Sequence, residues 1–143
     1  MLAIRPVSRA DVDAVLPFVF RYIEEALYHD NMEGAVENIA LELMDGDLTL
    51  WLVYDSNQLK GCVTTGFVAY AYKLSMELRT VTIHAPRDEW LPLFETLEAY
   101  AQKHGCYDIE CTGRLGLEKL TPAVGFKKTH VKMTKRVRYE QQA

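Results

Sequence analysis

The segment LTLWLVYDSNQLKGCVTTGFVAY (48–70) carries two runs of β-forming residues on either side of the polar turn DSNQ (55–58). Two such runs around a short polar turn predict an antiparallel β-hairpin. The next run, SMELRTVTI (75–83), alternates well enough to add a third strand. The middle of the chain therefore predicts a sheet against which the flanking segments pack.

The segments before this sheet predict one strand and two helices. Leu2–Arg5 is a short opening strand, and apolar residues then recur at helical spacing from Val12 to Leu27. A second helical pattern covers Val36–Met44, and Gly46 follows it as a left-handed cap. Both helices carry one apolar stripe, which predicts that each packs on the sheet by one face.

The segments after the sheet begin with the loop HAPRDEW (84–90). A helix is predicted to begin near Asp88, since Pro92 is tolerated only in a first turn, and to end at Gly105. Three further elements complete the prediction: the strand YDIEC (107–111), the short helix LGLEKL (115–120) and the alternating strand THVKMTKRVRY (129–139). This order predicts a single α+β domain spanning 1–143.

Composition narrows the class of protein. The 49% hydrophobic and 25% charged fractions over 143 residues are typical of a globular domain. No apolar run approaches the roughly 20 residues that span a bilayer, and the start of the chain has no signal-peptide pattern. We therefore expect a cytoplasmic protein without membrane contact. The three cysteines are expected to be free thiols.

Charge is distributed unevenly along the chain. Residues 114–143 hold eight basic and two acidic residues, a net charge of +6, so the first 113 residues carry −10. The overall charge of −4 argues against specific nucleic-acid binding. A protein partner could dock on the basic terminal strand or on the early helices, whose acidic residues include Glu24, Glu25, Asp30, Glu33, Glu37 and Glu42.

The element order resembles that of the GNAT superfamily of N-acetyltransferases. The resemblance is strongest in IRPVSRADVDAV (4–15), EAYAQKHGCYDIEC (98–111) and LEKLTPAVGFKK (117–128). It implies an α/β sandwich: a twisted, mixed and mostly antiparallel sheet of six or seven strands with helices on both faces. It also implies acetyl-CoA as the cofactor, with its pantetheine arm paired to strand backbone at Thr82 and Ile83.

The phosphate loop of the family departs from its usual form here. The family loop has the form (Arg/Gln)-x-x-Gly-x-(Gly/Ala), and its counterpart at residues 85–90 is APRDEW, without glycine. Asp88 and Glu89 place carboxylates at the positive end of the helix, where they are expected to cap it and to repel a pyrophosphate. Only Arg87 suits a phosphate.

The catalytic residues of the family are also replaced or displaced. Its acidic tyrosine corresponds to Thr121, a poor acid, and its asparagine to Arg114, which could reach a phosphate or the acceptor. Glu77 and His84 are the candidate bases. Seven residues apart, they lie on opposite faces of an ideal strand, unless a β-bulge intervenes.

Two hypotheses for function follow. The replaced motifs favour a degenerate GNAT-fold protein that acts by binding another macromolecule, similar to short proteins that tailed phages encode as virion or host-interaction components. The alternative is an acetyl-CoA-dependent N-acetyltransferase that uses Glu77 through water on an amine of a small molecule or protein. No metal is expected, because the spacing of His104, Cys106 and Cys111 fits no zinc pattern.

Overall fold

The computed structural model describes residues 1–29, 36–111, 125–127, 129, 133 and 135–139. These residues form five strands and three helices in the predicted order. The elements are β1 (Leu2–Pro6), α1 (Val12–His29), α2 (Val36–Asp45), β2 (Leu48–Asp55), β3 (Gln58–Ala69), β4 (Leu74–Ile83), α3 (Leu91–Lys103) and β5 (Asp108–Cys111). Short 3-10 turns at Arg9–Asp11 and Arg87–Glu89 precede α1 and α3.

The sheet has the order β1-β2-β3-β4-β5. The first four strands are antiparallel to their neighbours, and β5 pairs with β4 in parallel. Six or seven strands were predicted, whereas the described residues form five. The described part of the predicted strand 129–139 is not in the sheet, and the side chains of Met133 and Val137 there are exposed. The described apolar side chains of this segment thus lack the burial that stabilises a strand, and alternation alone does not supply it. The predicted helix 115–120 lies outside the described residues.

Helices cover both faces of the sheet, as predicted. The face under α3 buries Trp51, Met76 and Leu97. On the opposite face, Leu50 and Cys62 of the sheet are buried against Ile23 of α1 and Leu43 of α2. The alternating side chains of the central strands therefore supply two separate apolar layers, one for each face.

Two glycines end helices in the same way. Gly46, with φ of 83°, follows α2, and the N–H of Asp47 donates to the carbonyl of Glu42 at 2.9 Å. Gly105, with φ of 76°, follows α3, and the N–H of Cys106 donates to the carbonyl of Ala101 at 2.9 Å. These are Schellman motifs, which require a left-handed residue after the helix. The prediction of both caps from sequence is confirmed.

A β-bulge interrupts β4 at Arg79. Thr80 pairs with Thr64 and Leu78 pairs with Thr65, so Arg79 is an extra residue without a partner in β3. Because successive side chains alternate between faces, one extra residue reverses the alternation beyond it. Met76 is buried under α3 before the bulge, whereas the even-numbered residues after it face α1.

An anchor around Asp108 holds β5 against the beginning of β4. The Asp108 carboxylate accepts hydrogen bonds from Lys73 Nζ at 2.6 Å and from Ser75 Oγ. The backbone N–H of Tyr107 donates to the carbonyl of Leu74 at 2.8 Å. Three tyrosine rings also surround Lys73 Nζ at 5.3 to 5.8 Å from their centroids, those of Tyr70, Tyr72 and Tyr107. Cation–π attraction therefore adds to the ion pair.

This anchor predicts a pH-dependent contribution to stability. Hydrogen bonds from Lys73 and Ser75 lower the pKa of Asp108 below its ordinary 3.8. A lowered folded-state pKa stabilises the fold above the ordinary value, and the contribution is lost as the pH falls through the folded-state pKa. We therefore expect Asp108→Asn to lower Tm by a few degrees at pH 6 and by less at pH 3. Thermal denaturation at both pH values measures this difference.

Asp13→Asn, a change to an exposed carboxylate on α1, is the control. An equal Tm loss of Asp108→Asn at both pH values would contradict the assignment.

Candidate active site

Among the described residues, the second half of β4 has no strand beside it on the β5 side, and we call this its open edge. β5 pairs with β4 only from Ser75 to Leu78, whereas β4 continues to Ile83. Within the described residues, no strand pairs with this edge of β4 beyond Leu78. Every second N–H and C=O along Arg79–Ile83 points toward this edge and can bond to an extended ligand.

A pocket of about 140 Å³ lies at the far end of this edge. It is formed by the end of β4, the loop that follows, and one residue of α1. Its lining residues are Glu25, Val81, Thr82, Ile83, His84, Ala85, Arg87 and Trp90. Four of the residues predicted for the site, Thr82, Ile83, His84 and Arg87, are therefore brought together. Arg114 and Thr121 lie outside the described residues.

Thr82 and Ile83 can contribute only backbone to a ligand, because both side chains are committed to the fold. Thr82 Oγ1 donates to the carbonyl of Tyr22 in α1 at 2.7 Å. Ile83 is buried in the layer under α3. Their prediction as cofactor-binding residues through backbone stays a prediction.

In the loop after β4, residues 84–90, three of the six backbone N–H groups donate to backbone carbonyls. The N–H of Glu89 donates to the carbonyl of Pro86 at 3.0 Å, and the N–H of Trp90 donates to the carbonyl of Arg87 at 3.1 Å. Pro86 and Pro92 have no N–H. Asp88 and Glu89 are exposed. The N-cap residue of the 3-10 turn is Pro86 and that of α3 is Trp90, and neither makes a side-chain capping hydrogen bond. The expectation that the two acids cap the helix is therefore wrong, because the chain enters α3 through a tight 3-10 turn.

His84 links the end of β4 to α1. Its Nε2 lies 2.8 Å from Glu25 Oε2, and its ring meets the edge of Tyr22 with centroids 5.1 Å apart. The His84 backbone N–H donates to the carbonyl of Lys60 at 2.7 Å. The imidazole is about half exposed at 53%. It is thus held in one orientation at the rim of the pocket.

Glu77 lies on the same face of the sheet as His84, because the bulge at Arg79 reverses the alternation between them. Seven strand residues still separate the two side chains by roughly 20 Å, so they do not form one site. Arg79 instead joins Glu77 to α2. Arg79 Nε lies 3.2 Å from Glu77 Oε1, and Arg79 Nη1 lies 3.2 Å from Glu42 Oε2.

Sequence reasoning missed a second carboxylate beside Glu77. Glu110 of β5 is the parallel partner of Glu77, so their side chains share a face. The hydroxyl of Tyr70 lies 2.8 and 2.9 Å from the two oxygens of Glu110, and this hydrogen bond raises the pKa of Tyr70. The pairing could not be predicted, because the register between β4 and β5 depends on how the chain crosses from one strand to the other through α3.

The cysteines are poor candidates for chemistry. Burial raises the pKa of Cys62 to about 12, and it also raises the pKa of Cys106 and Cys111. All three thiols are therefore protonated at neutral pH and are weak nucleophiles. Within the described ranges, no group of three or more His, Cys, Asp or Glu side chains is arranged to hold a metal ion. In the same ranges, every helix is too short or too polar to cross a bilayer.

Solved structures of acetyltransferases share this arrangement over nearly their whole length. A probable acetyltransferase is 11% identical, covers 98% of this chain and 99% of its own, and has a TM-score of 0.69. A predicted acetyltransferase from Clostridium acetobutylicum, solved with acetyl-CoA, is 12% identical over 95% and 96%, with a TM-score of 0.69. Aminoglycoside N-acetyltransferase AAC(6')-Iy in complex with CoA is 15% identical over 96% and 95%, with a TM-score of 0.68.

These likenesses define the fold as that of acetyltransferases. The chain therefore shares its fold with these acetyltransferases, which agrees with the fold that the resemblance to the GNAT superfamily implies. The sequence itself matches no protein-family model, and a comparison with curated proteins found no match. At such low sequence identity, the structural likeness shows the fold, and the chemistry has to be argued from the residues of the site.

The residues of the site fit one part of acetyl-CoA and not the other. The pantetheine arm is an extended chain with two amides, and the open edge of β4 offers the backbone groups that such a chain needs. The pyrophosphate needs several free N–H groups or cations, and the loop beyond β4 offers few. The described residues therefore fit the thioester end of acetyl-CoA better than its nucleotide end.

Proposed function

We propose that the protein is an N-acetyltransferase that moves an acetyl group from a pantetheine thioester, such as acetyl-CoA, to an amine. The observation that carries this proposal is the open edge of β4 in a fold shared with acetyltransferases, some of which hold acetyl-CoA or CoA. The thioester supplies an activated acyl carbon. In the transfer a C–N bond forms, the C–S bond breaks, and the amine loses a proton.

Glu77 is the base in this proposal. An amine is protonated at neutral pH and must lose a proton before it can attack, so a carboxylate on the acceptor side serves it directly or through water. Glu77 lies where β5 still pairs with β4, next to the beginning of the open edge. Its ion pair with Arg79 holds the carboxylate in place, and Glu110 beside it adds negative charge that favours a cationic acceptor.

His84 has a different place in this proposal. Since it lies roughly 20 Å along the strand from Glu77, it cannot share the acceptor proton. Its contacts with Glu25 and Tyr22 instead fix α1 at the rim of the pocket. We assign to His84 the positioning of α1 at the rim of the pocket, and to Glu77 the transfer of the acceptor proton.

The likeness to acetyltransferases favours this function over a non-catalytic binding protein. Neither the fold nor the comparisons support a virion or host-interaction role. Replacement of the family's tyrosine by Thr121 removes one acid, yet the departing thiolate can take a proton from water. The proposal therefore needs the base and the open edge, and it does not need the tyrosine.

Isothermal titration calorimetry with acetyl-CoA tests this function first. We expect a dissociation constant in the micromolar range. Transfer is then measured by mass spectrometry of amines mixed with protein and acetyl-CoA, beginning with aminoglycosides because AAC(6')-Iy acts on that class by name. Absence of heat at millimolar acetyl-CoA, together with no acetylated amine from any thioester donor, would overturn the proposal.

A further inference from the structure

The loop between β4 and α3 is built in a way that does not suit a bound phosphate. Of its seven residues from His84 to Trp90, Pro86 has no N–H, and Pro92 in the first turn of α3 has none either. The N–H groups of Glu89 and Trp90 are already bonded to carbonyls of the same turn. The indole N–H of Trp90 is used as well, because it donates to the carbonyl of Ala85 at 3.1 Å. Three of the six backbone N–H groups between His84 and Trp90, counting that of His84 to the carbonyl of Lys60, and the Trp90 indole N–H are therefore already used within the protein.

The charges around the loop have the wrong sign for a phosphate. Asp88 and Glu89 are exposed within it, and the Glu25 carboxylate lines the adjacent pocket. Arg87 is the single arginine or lysine of the loop, and it already interacts within the chain. The nucleotide end of acetyl-CoA carries a pyrophosphate and a 3′-phosphate, roughly four negative charges at neutral pH. Of these three carboxylates only Glu25 lines the pocket, and the exposed Asp88 and Glu89 add negative charge along the loop that opposes a bound phosphate.

The open edge of β4 is neutral by contrast. Between the bulge at Arg79 and the loop, β4 offers backbone groups beside Thr80, Val81, Thr82 and Ile83. None of these four side chains is charged. An uncharged pantetheine arm can pair with this edge without meeting the acids of the loop.

We propose that this protein recognises its donor by the acyl-pantetheine arm alone, and that acyl-pantetheine thioesters without the nucleotide are donors as good as acetyl-CoA. The inference rests on the proposed function, since it names the donor class of the same site. The nucleotide end of acetyl-CoA would then remain outside the loop in solvent and add no affinity.

Calorimetry with two donors tests the inference by binding rather than by turnover. We expect S-acetyl-pantetheine and acetyl-CoA to bind with dissociation constants within about threefold of each other. Raising NaCl from 50 to 300 mM should leave acetyl-CoA binding equal or stronger, because salt screens repulsion. Acetyl-CoA binding that is tenfold tighter than that of S-acetyl-pantetheine, or that weakens steeply with salt, would overturn the inference.

A charge-neutralising variant sharpens the test. Asp88→Asn with Glu89→Gln should raise the affinity for acetyl-CoA at least threefold and leave that for S-acetyl-pantetheine unchanged. Glu98→Gln, a change to an exposed acid two turns into α3, is the matched control and should change neither. An unchanged acetyl-CoA affinity in the double variant would count against a repelling loop.

The two proposals fail in different ways. If acetyl-CoA binds and donates but S-acetyl-pantetheine does neither, the donor inference fails and the acetyltransferase function stands. If neither thioester binds or donates, the function fails and the inference with it.

Discussion

Glu77→Gln is expected to lower kcat for amine acetylation by at least 100-fold. Glutamine keeps the size of the side chain and loses the ability to take a proton, and general-base catalysis contributes about 10²- to 10⁴-fold. The ion pair with Arg79 is partly exposed, so Tm should change by less than about 2 °C. Steady-state kinetics with a saturating donor and thermal denaturation measure the two effects.

Glu42→Gln provides the matched control for this variant. Glu42 is the other carboxylate bonded to Arg79, but it belongs to α2. Its replacement removes an ion pair of the same kind without touching the proposed base, and we expect kcat within about threefold of the original. If Glu77→Gln retains normal turnover, or if both variants lose activity equally, Glu77 is not the base.

Gly61→Ala is expected to lower the free energy of unfolding by about 3 kcal/mol or more. A Cβ at Gly61 would lie 1.9 Å from the carbonyl oxygen of Thr82 and 2.9 Å from the Cα of Ile83. Both are backbone atoms of β4, so the strands must separate to admit the methyl group. A loss of this size corresponds to a fall in Tm of about 10 °C for a domain of this length.

Gly66→Ala distinguishes this steric effect from the general cost of alanine in place of glycine in β3. Its Cβ would meet Leu48 Cδ2 at 2.7 Å, the end of a side chain that can rotate. We expect a loss no more than half that of Gly61→Ala in urea denaturation. Equal losses would mean that the approach of β3 and β4 at Gly61 is not the cause.

Much of the fold could be predicted because its signals are local. The alternation in LTLWLVY, the helical stripe from Val12 and the caps at Gly46 and Gly105 each depend on neighbouring residues. The terminal segment 129–139 shows where such signals fail. Its alternation is as regular as that of β4, yet its described side chains are exposed, because no local pattern reports whether a core is available.

The site was predictable in its residue types and less so in its geometry. Glu77 and His84 were identified as candidates, but their shared face depends on how β4 pairs with β3. The bond between Tyr70 and Glu110 joins residues 40 apart, and that between Arg79 and Glu42 joins residues 37 apart. Such contacts follow from register and helix placement, which a single sequence does not encode in any short motif.

The bulge at Arg79 also has a consequence for engineering this scaffold. Before the bulge, the odd-numbered side chains of β4 face the acceptor side. After the bulge, the odd-numbered side chains face the layer under α3. A designer who grafts new substrate contacts must therefore count positions separately on each side of Arg79. Removing Arg79 alone would restore regular pairing between β3 and β4 and would leave Thr80, Thr82 and His84 on the face toward α1, so this deletion removes the bulge without exchanging the two faces of the strand.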